Sequence, residues 1–425
     1  MDVDQGSGGS TDMAVALRQP LTLRCGQVLN NRVVKAAMSE QLGNVSNQPT
    51  DRLLSLYEQF GASGAGLLIT GNVMIDRRQL AEPLNVVLED NSALESFKRW
   101  AQVAKAGGAK AWLQLNHPGR QVPRLLADHP LAPSAVAMSS VGPFFGRPIA
   151  MTEDDISEVL VRFGRSAQIA QAAGFDGVEL HGAHGYLINQ FLSPAVNQRT
   201  DSWGGSLENR MRFVLQAVRE VRRATSGDFA VGIKINSNDF MRGGFDQTAA
   251  LKAARALDAE GVDMIEISGG TYERAAMFGY GRDGGSAREA YFAEFAREVT
   301  RGVDAAVMLT GGNRTAAAMA QAIVSDECDL IGVARPMAID PQTPRLLLSG
   351  GDGMNTRGPR RTGIHMIDAY VITVWHERQL RRRASGKSSI GRFSVVGSAL
   401  WGARKHLAGS IGVRRARRLA GITWR

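Results

Sequence analysis

Two histidines and a tyrosine follow a short apolar run in the middle of the chain. The run is Gly177–Leu180, and His181, His184 and Tyr186 come shortly after it. Such a run, followed by polar residues, is typical of a buried parallel strand that leads into a functional loop. Neutral imidazoles donate hydrogen bonds, and a phenol can release a proton. The spacing therefore predicts a site that holds a carbonyl oxygen and delivers a proton beside it.

The same residues allow two other interpretations. Histidines near the end of a strand can be structural groups whose hydrogen bonds are satisfied locally. They can also bind a metal ion together with a carboxylate such as Glu179 or Asp201. Glu179 lies two residues before His181 and hence on the same face of the strand, so the spacing leaves this alternative open.

The longer segment HGAHGYLINQFLSPAVNQRTDSWGGSLENR, residues 181–210, resembles the signature of the old yellow enzyme family of FMN-dependent ene-reductases. The resemblance implies that His181 and His184 polarise a substrate carbonyl, that Tyr186 protonates the substrate, and that no metal takes part. It implies FMN as the cofactor and NADPH or NADH as a reductant that binds transiently. The polar residues from Arg199 to Arg210 are interpreted mainly as scaffold, since the glycines and Ser206 suit a turn and a helix start.

The elements that must position these residues alternate between strand and helix patterns. Amphipathic stretches separate eight short apolar runs, and this order predicts a single α/β domain of the (β/α)8 TIM-barrel class. A doubly wound sheet is the alternative, but no GxGxxG motif follows the first run. The eight runs are Val33–Ala37, Gly66–Thr70, Lys110–Leu115, Gly177–Leu180, Val231–Ile235, Met264–Ile267, Ala305–Thr310 and Leu330–Ala334.

In a TIM barrel the functional residues lie just past the C-terminal ends of the strands, and polar or glycine residues follow every predicted strand. The resemblance gives several of these positions a role in flavin binding. Gln114 would bond the pyrimidine edge, and Lys234 would place a cation near flavin N1 and O2. Much of the family carries proline where this chain has Ala37, which leaves the redox potential open. The other positions implied to contact the ring are Met38, Ser39 and Asn72.

The exits of the seventh and eighth strands point to a phosphate. Gly311 and Gly312 let the backbone approach a ligand closely, and a helix pattern follows whose N-terminus favours an anion. Arg335 adds a positive charge that can form two hydrogen bonds. These residues predict a phosphorylated ligand, with an ordinary glycine turn and a surface arginine as the alternative. The resemblance names the ligand as the FMN phosphate and extends the set to Asn313 and Ala334.

Composition is that of a globular protein, since 44% of the 425 residues are hydrophobic and 21% are charged. The two cysteines form no framework and are too few for an iron–sulfur cluster, so electrons are expected directly from NAD(P)H. No apolar run approaches the roughly 18 residues of a membrane span, and the first residues lack signal-peptide features. We expect a cytoplasmic protein with a disordered tail (1–15), an FMN-binding barrel (16–350) and a basic C-terminal extension (351–425).

The net charge of +9 is carried by the end of the chain. Residues 378–425 contain 13 Lys and Arg and no acidic residue, which leaves residues 1–377 with 37 basic and 41 acidic side chains, a net charge of −4. This mildly acidic body argues against nucleic-acid binding. Basic and apolar residues mix in the tail, and three interpretations stay open: docking on a barrel (its own or that of a second copy in a homo-oligomer), peripheral contact with an anionic membrane, or a disordered arm.

Together with its resemblance to the old yellow enzyme family, the sequence implies an oxidoreductase that takes hydride from NAD(P)H and reduces the C=C bond of an enone or enal, with two half-reactions in one site. A flavin dehydrogenase or demethylase on the same barrel is the first alternative. The second is a tethering protein whose basic tail binds an anionic surface and whose barrel has a secondary role.

Overall fold

The computed structural model describes residues 15–138, 142–271, 285–311, 315–351, 354–388 and 390–422. Within them, eight parallel strands close into a barrel. Each strand pairs with the next one along the chain, and β8 pairs with β1. This confirms the predicted (β/α)8 barrel, and the doubly wound alternative is wrong. The strands are β1 (Val33–Lys35), β2 (Leu67–Met74), β3 (Lys110–Asn116), β4 (Gly177–Gly182), β5 (Ala230–Asn236), β6 (Met264–Ser268), β7 (Ala306–Thr310) and β8 (Leu330–Val333).

Helices connect the strands and cover the outside of the barrel. Several begin at side-chain caps: Thr50, Thr152 and, as the sequence suggests, Ser206 each accept a hydrogen bond from the first helical turn. The connecting helices are α1 (Asp51–Gly61), α2 (Leu94–Lys105), α3 (Glu153–Ala172), α4 (Leu187–Leu192), α5 (Leu207–Ala224), α6 (Gln247–Ala259), α7 (Gly285–Thr300) and α8 (Ala316–Val324).

The second strand differs from its predicted end. The apolar run stops at Thr70, but β2 continues to Met74 because the pairing with β3 shifts register between Ile69 and Asn72 and then resumes. Such a bulge re-aims the side chains that follow it. The extension places Asn72 on an ordered strand, opposite Gln114.

The inside of the barrel changes from apolar to polar along the strands. On β6 the alternate residues Met264, Glu266 and Ser268 run from an apolar cluster at the N-terminal end to the C-terminal mouth. Trp112 and Leu29 belong to the same apolar cluster. A short antiparallel pair, Leu21–Thr22 with Val28–Leu29, supplies part of this floor. Because the floor is filled by side chains, chemistry is confined to the mouth.

The C-terminal extension folds onto the barrel. Two short helices follow β8, α9 (Arg335–Ile339) and α10 (Thr343–Leu348), and the extension itself contains α11 (His365–Arg383) and α12 (Val395–Leu419). Leu380 and Ala384 join the main core, and Gln59 on α1 donates to the Arg383 carbonyl oxygen at 2.8 Å. The tail therefore docks on its own barrel, and a disordered arm is wrong for α12.

Residues 1–14, almost all of the tail predicted to be disordered, lie outside the described residues. The long connection after β3 contains two short paired strands, Leu131–Ala132 and Ile149–Ala150. No helix of the described chain has the length and hydropathy needed to cross a bilayer.

Candidate active site

The two histidines and the tyrosine converge at the mouth. His181 lies near the end of β4, and the backbone then turns through left-handed conformations at His184 (φ 59°) and Gly185 (φ 78°). This turn brings the His181 ring 5.0 Å from the His184 ring and 4.7 Å from the Tyr186 ring, centroid to centroid. His181 and Tyr186 are buried, while His184 retains some exposure.

A polar framework holds this loop in place. The His184 amide donates to Asn236 Oδ1 at 3.1 Å, and Gln121 Nε2 donates to the His184 carbonyl oxygen at 3.0 Å. The Gly185 amide donates to Asn189 Oδ1 at 2.8 Å. Contacts from three other parts of the chain thus stabilise a histidine with positive φ, a backbone conformation that costs energy outside glycine and persists where the surroundings fix it.

Burial keeps both imidazoles neutral. It lowers the pKa of His184 to about 3 and the pKa of His181 well below its usual range, and the nearby Lys234 charge adds to both effects. His181 Nδ1 accepts a hydrogen bond from the Ala183 amide at 3.3 Å, so the proton of the neutral ring sits on Nε2. His184 Nε2 lies 2.8 Å from the Ser268 hydroxyl. The pair can therefore donate hydrogen bonds to an oxygen without carrying charge.

Asn72 lies beside the proposed proton donor. Its Nδ2 is 3.5 Å from the Tyr186 hydroxyl oxygen, in position to donate to that oxygen. The sequence predicts Asn72 as a flavin contact, and the structure adds this second neighbour. A donor to the phenol oxygen favours the charge that remains after a proton leaves. Around the ring, the apolar cluster comprises Met74, Leu80, Ala81, Val87, Val122, Leu126, Ala127 and Val413.

A charged cluster lies deeper in the barrel. Lys234 Nζ is 2.9 Å from Glu266 Oε1 and 4.0 Å from Glu179 Oε2, and Gln114 Nε2 donates to Glu179 Oε2 at 2.6 Å. Burial and the neighbouring Glu266 raise the pKa of Glu179 well above its usual range. Burial lowers the pKa of Lys234, but the two carboxylates outweigh it and the net shift is upward. Lys234 thus remains a cation.

Sequence reasoning missed Glu266 as a site residue and considered Glu179 only as a possible metal ligand. Glu179 and Glu266 each stand inside an apolar run, VEL and IEI, at a position that a barrel strand turns inward. A carboxylate in a buried strand is costly unless it is paired, so this placement was the available signal.

A buried network of polar contacts holds the segment after β1. Lys35 Nζ donates to the Ile69 carbonyl oxygen at 2.7 Å and lies 3.9 Å from Glu40 Oε1. The same carboxylate accepts from the Tyr57 hydroxyl at 2.5 Å and from the Gly71 amide at 3.1 Å. This network, which the sequence did not reveal, ties the residues after β1 to the bulge of β2.

Residues 37–39 form a partly exposed step between buried neighbours. Ala37 packs against the inner apolar cluster and Met38 against the main core. Ser39 Oγ donates to Glu82 Oε2, and Gln41 Nε2 donates to Glu82 Oε1 at 2.6 Å. This partly exposed surface fits the implied role of residues 37–39 as contacts of the flavin ring. Glu82 is a neighbour that the sequence did not suggest.

The exits of β7 and β8 fit a phosphate. Gly311 has φ 92°, and among the described residues, apart from its chain neighbours, no atom lies within 4 Å of the place where a Cβ would be. Thr310 Oγ1 is buried without a hydrogen-bond partner among the described residues, and the exposed Arg335 opens α9 directly after Ala334. An open glycine, an unused hydroxyl and a nearby cation suit an anion. The predicted contacts Gly312 and Asn313 lie outside the described residues.

Gln114 and Lys234 suit the polar edge of a flavin ring, and the exits of β7 and β8 suit a phosphate. The mouth as a whole therefore fits FMN. Glu179 Oε1, close to Gln114 and Lys234, is a second buried oxygen without a partner in the described chain. Among the described residues, no group of three or more His, Cys, Asp or Glu side chains is arranged to hold a metal ion.

A parallel barrel with this mouth defines a flavin-binding oxidoreductase, and residues 16–350 match the NADH:flavin oxidoreductase / NADH oxidase family, to which the chain belongs. The resemblance to old yellow enzymes is thereby confirmed. FMN is the cofactor, and NADH or NADPH is the reductant.

Known proteins similar to the chain agree with this assignment. The NADH-dependent flavin oxidoreductase iliE of Hypocrea jecorina (strain QM6a) is 36% identical over 355 residues, covering 77% of this chain and 88% of that protein. The old yellow enzyme homologue from Zymomonas mobilis superposes with a TM-score of 0.67 at 24% identity, over 78% of this chain and 92% of that one. A 2-naphthoyl-CoA reductase complex gives a TM-score of 0.76 at 21% identity, over 89% of this chain but 56% of that one. At these identities the two solved structures show the shared fold alone.

Proposed function

We propose that the enzyme reduces the C=C bond of α,β-unsaturated carbonyl compounds, enones or enals, and that NAD(P)H and substrate bind one site in turn. The observation that carries the proposal is the neutral pair His181 and His184 beside Tyr186 on one rigid loop. Two uncharged donors and one acid at a mouth suit an oxygen that gains charge next to a carbon that gains a proton.

Each group has a distinct task in this proposal. FMN, when bound, supplies the hydride. His181 and His184 hold the carbonyl oxygen and stabilise the negative charge that develops there. Tyr186 gives its proton to the α-carbon, and Asn72 supports the phenol oxygen from 3.5 Å.

The resemblance, together with the positions of the described residues, supports a set of residues that would hold the cofactor. Gln114 and Lys234 would hold the polar edge of the ring, with the step at residues 37–39 behind it. We propose that the phosphate is held by the exits of β7 and β8, by Gly311, Gly312, Asn313, Ala334 and Arg335. Lys234 would favour negative charge on the ring because it stays protonated.

Anaerobic double mixing tests this function against a dehydrogenase or demethylase. The purified enzyme is reduced with one equivalent of NADH and then mixed with 2-cyclohexenone. We expect rapid return of oxidised flavin absorbance and formation of the saturated ketone. Reoxidation no faster than in buffer alone would contradict the proposal.

We also propose a cytoplasmic location. Both cysteines are free thiols, Cys25 partly buried and Cys328 buried, which suits a reducing compartment.

A further inference from the structure

Helix α12 has two different long faces. Its inner face carries small residues that permit a close approach: a Cβ on Gly402 would lie 2.6 Å from Tyr370 Oη, and one on Gly409 would lie 3.1 Å from Pro83. Val413, also on the inner face, packs in the apolar cluster that contains Tyr186. The helix thus lies on the mouth side of the barrel, and its inner face is covered by α11 and the barrel.

The opposite face of α12 is apolar and exposed. Val396, Leu400, Leu407 and Ile411 are 67%, 62%, 50% and 59% exposed. Their spacing of four, seven and four residues places them on one stripe of a helix with 3.6 residues per turn. We call these four residues the outer stripe. A soluble helix normally turns such a stripe toward the core, so its outward direction calls for a partner.

Two further apolar side chains are partly exposed on the neighbouring helix α11. Tyr370 on α11 lies against the inner face of α12 at Gly402, and Tyr370 and Ile367 remain 37% and 41% exposed.

The basic residues of the tail divide between the two faces. Lys405 pairs with Glu377 on α11, so this cation joins the two tail helices, and Arg381 Nη2 donates to the Gln41 carbonyl oxygen of the barrel at 2.7 Å. The exposed cations of α12 accompany the outer stripe instead: they are Arg404, Arg414, Arg415 and Arg418. No acidic residue occurs from 378 to 425 to balance them.

We propose that the outer stripe and its arginines dock this enzyme on the surface of an anionic lipid bilayer. An apolar stripe flanked by arginines matches the apolar interior and the negative headgroups of such a surface. A second copy of the chain fits less well, because a twofold contact through the same helix would oppose the four arginines of each copy.

Co-sedimentation of the FMN-loaded full-length enzyme tests this proposal. The probes are vesicles of phosphatidylcholine alone and vesicles with about one third phosphatidylserine, each at low and high salt. We expect binding to the anionic vesicles at low salt and its loss at high salt, since surface charges are screened. Replacing Arg414 and Arg415 with glutamine is expected to weaken binding about 25-fold, about five-fold for each arginine.

A second variant and matched controls distinguish binding through the outer stripe from effects that any change of an exposed apolar or basic residue would have. Leu407→Ser with Ile411→Ser is expected to weaken binding at least about ten-fold. Val161→Ser with Val324→Ser, and Lys252→Gln with Arg301→Gln, change exposed residues elsewhere and should bind as the parent does. All variants should keep FMN absorbance and their rate with cyclohexenone.

Three results would overturn the proposal. They are a full-length enzyme that never sediments with anionic vesicles at low salt, equal binding to neutral vesicles, and controls that lose as much as the stripe variants. Sedimentation of the free enzyme as a dimer that Leu407→Ser dissociates, without vesicle binding, would assign the surface to a second copy.

Discussion

Burial decides what the two site histidines can do. An ordinary imidazole with a pKa of about 6.5 would be partly charged at neutral pH. Here the pKa of His184 is lowered to about 3 and that of His181 is lowered as well, so both rings are neutral donors. Because the pKa of His184 is lowered to about 3 and that of His181 is lowered too, both rings should stay neutral across the neutral pH range.

The first prediction is that ligand binding at this pair does not depend on pH near neutrality. Cyclohexanone, a ketone that has no titrating group in this range, is titrated from pH 5 to 8 while the flavin absorbance is followed. We expect a constant dissociation constant. A break near pH 6.5 that disappears in His181→Ala or His184→Ala would contradict the neutral pair.

Arg335 is the residue that tests the phosphate end. Loss of a hydrogen bond to a charged group costs about 1.5–3 kcal/mol. Arg335→Ala is therefore expected to weaken FMN affinity about 10- to 150-fold, measured by fluorescence of released flavin after dilution. The control is Arg301→Gln, which changes an exposed arginine before the start of β7, at the opposite end of that strand from its exit. Unchanged FMN retention in Arg335→Ala would place the phosphate elsewhere.

At the scale of elements, the loop after β2 brings a carboxylate close to the residues that we propose to contact the flavin ring. Glu82 accepts hydrogen bonds from Ser39 and Gln41, so its charge lies one hydroxyl away from the step at residues 37–39. Negative charge disfavours the electron-rich reduced ring. Glu82→Gln is expected to raise the reduction potential by on the order of 30 mV, or about 1.4 kcal/mol for two electrons.

Potentiometric titration with a reference dye measures that shift. Glu208→Gln removes an exposed carboxylate on α5 and should leave the potential unchanged. An equal shift in both variants, or a lower potential in Glu82→Gln, would exclude a local effect of Glu82.

The seating of α12 depends on its glycines. Alanine normally favours a helix over glycine by up to about 1 kcal/mol, so a stability loss in Gly402→Ala would have to come from the contact with Tyr370 and Val374. We expect a loss of about 1–3 kcal/mol in the free energy of unfolding by urea. Ala403→Met, an exposed neighbour, should stay near the parent value. A more stable Gly402→Ala would mean that the helix can move away freely.

The sequence predicts elements better than it predicts their partners. All eight strands are visible because buried parallel strands are continuous apolar runs. The same continuity hides which residues of most strands face inward, so Glu266 was not predicted and Glu179 was considered only as a metal ligand, not as a partner of Lys234. The bulge of β2 was not visible either, because a register shift appears only in the pairing with β3 across the sheet and not in local residue types.

At the scale of the whole molecule, charge marks the tail but does not define its boundary. The basic run begins at Arg378, in the middle of α11, and Leu380 just after it belongs to the main core. The spacing along α12 indicates a stripe, but only the packing against Pro83 and Tyr370 shows which face is covered. The site triad, in contrast, was predictable because it lies within six residues of one loop.

The central claim is that Tyr186 protonates an enone whose oxygen the histidines hold. Stopped-flow measurement of both half-reactions in Tyr186→Phe tests it most directly, since the variant keeps the ring and removes only the acid. We expect flavin reduction by NADH at the parent rate and reoxidation by cyclohexenone slowed at least about 10²-fold. An equal loss in both half-reactions, or an unchanged rate with cyclohexenone, would contradict the assignment of Tyr186 as the proton donor.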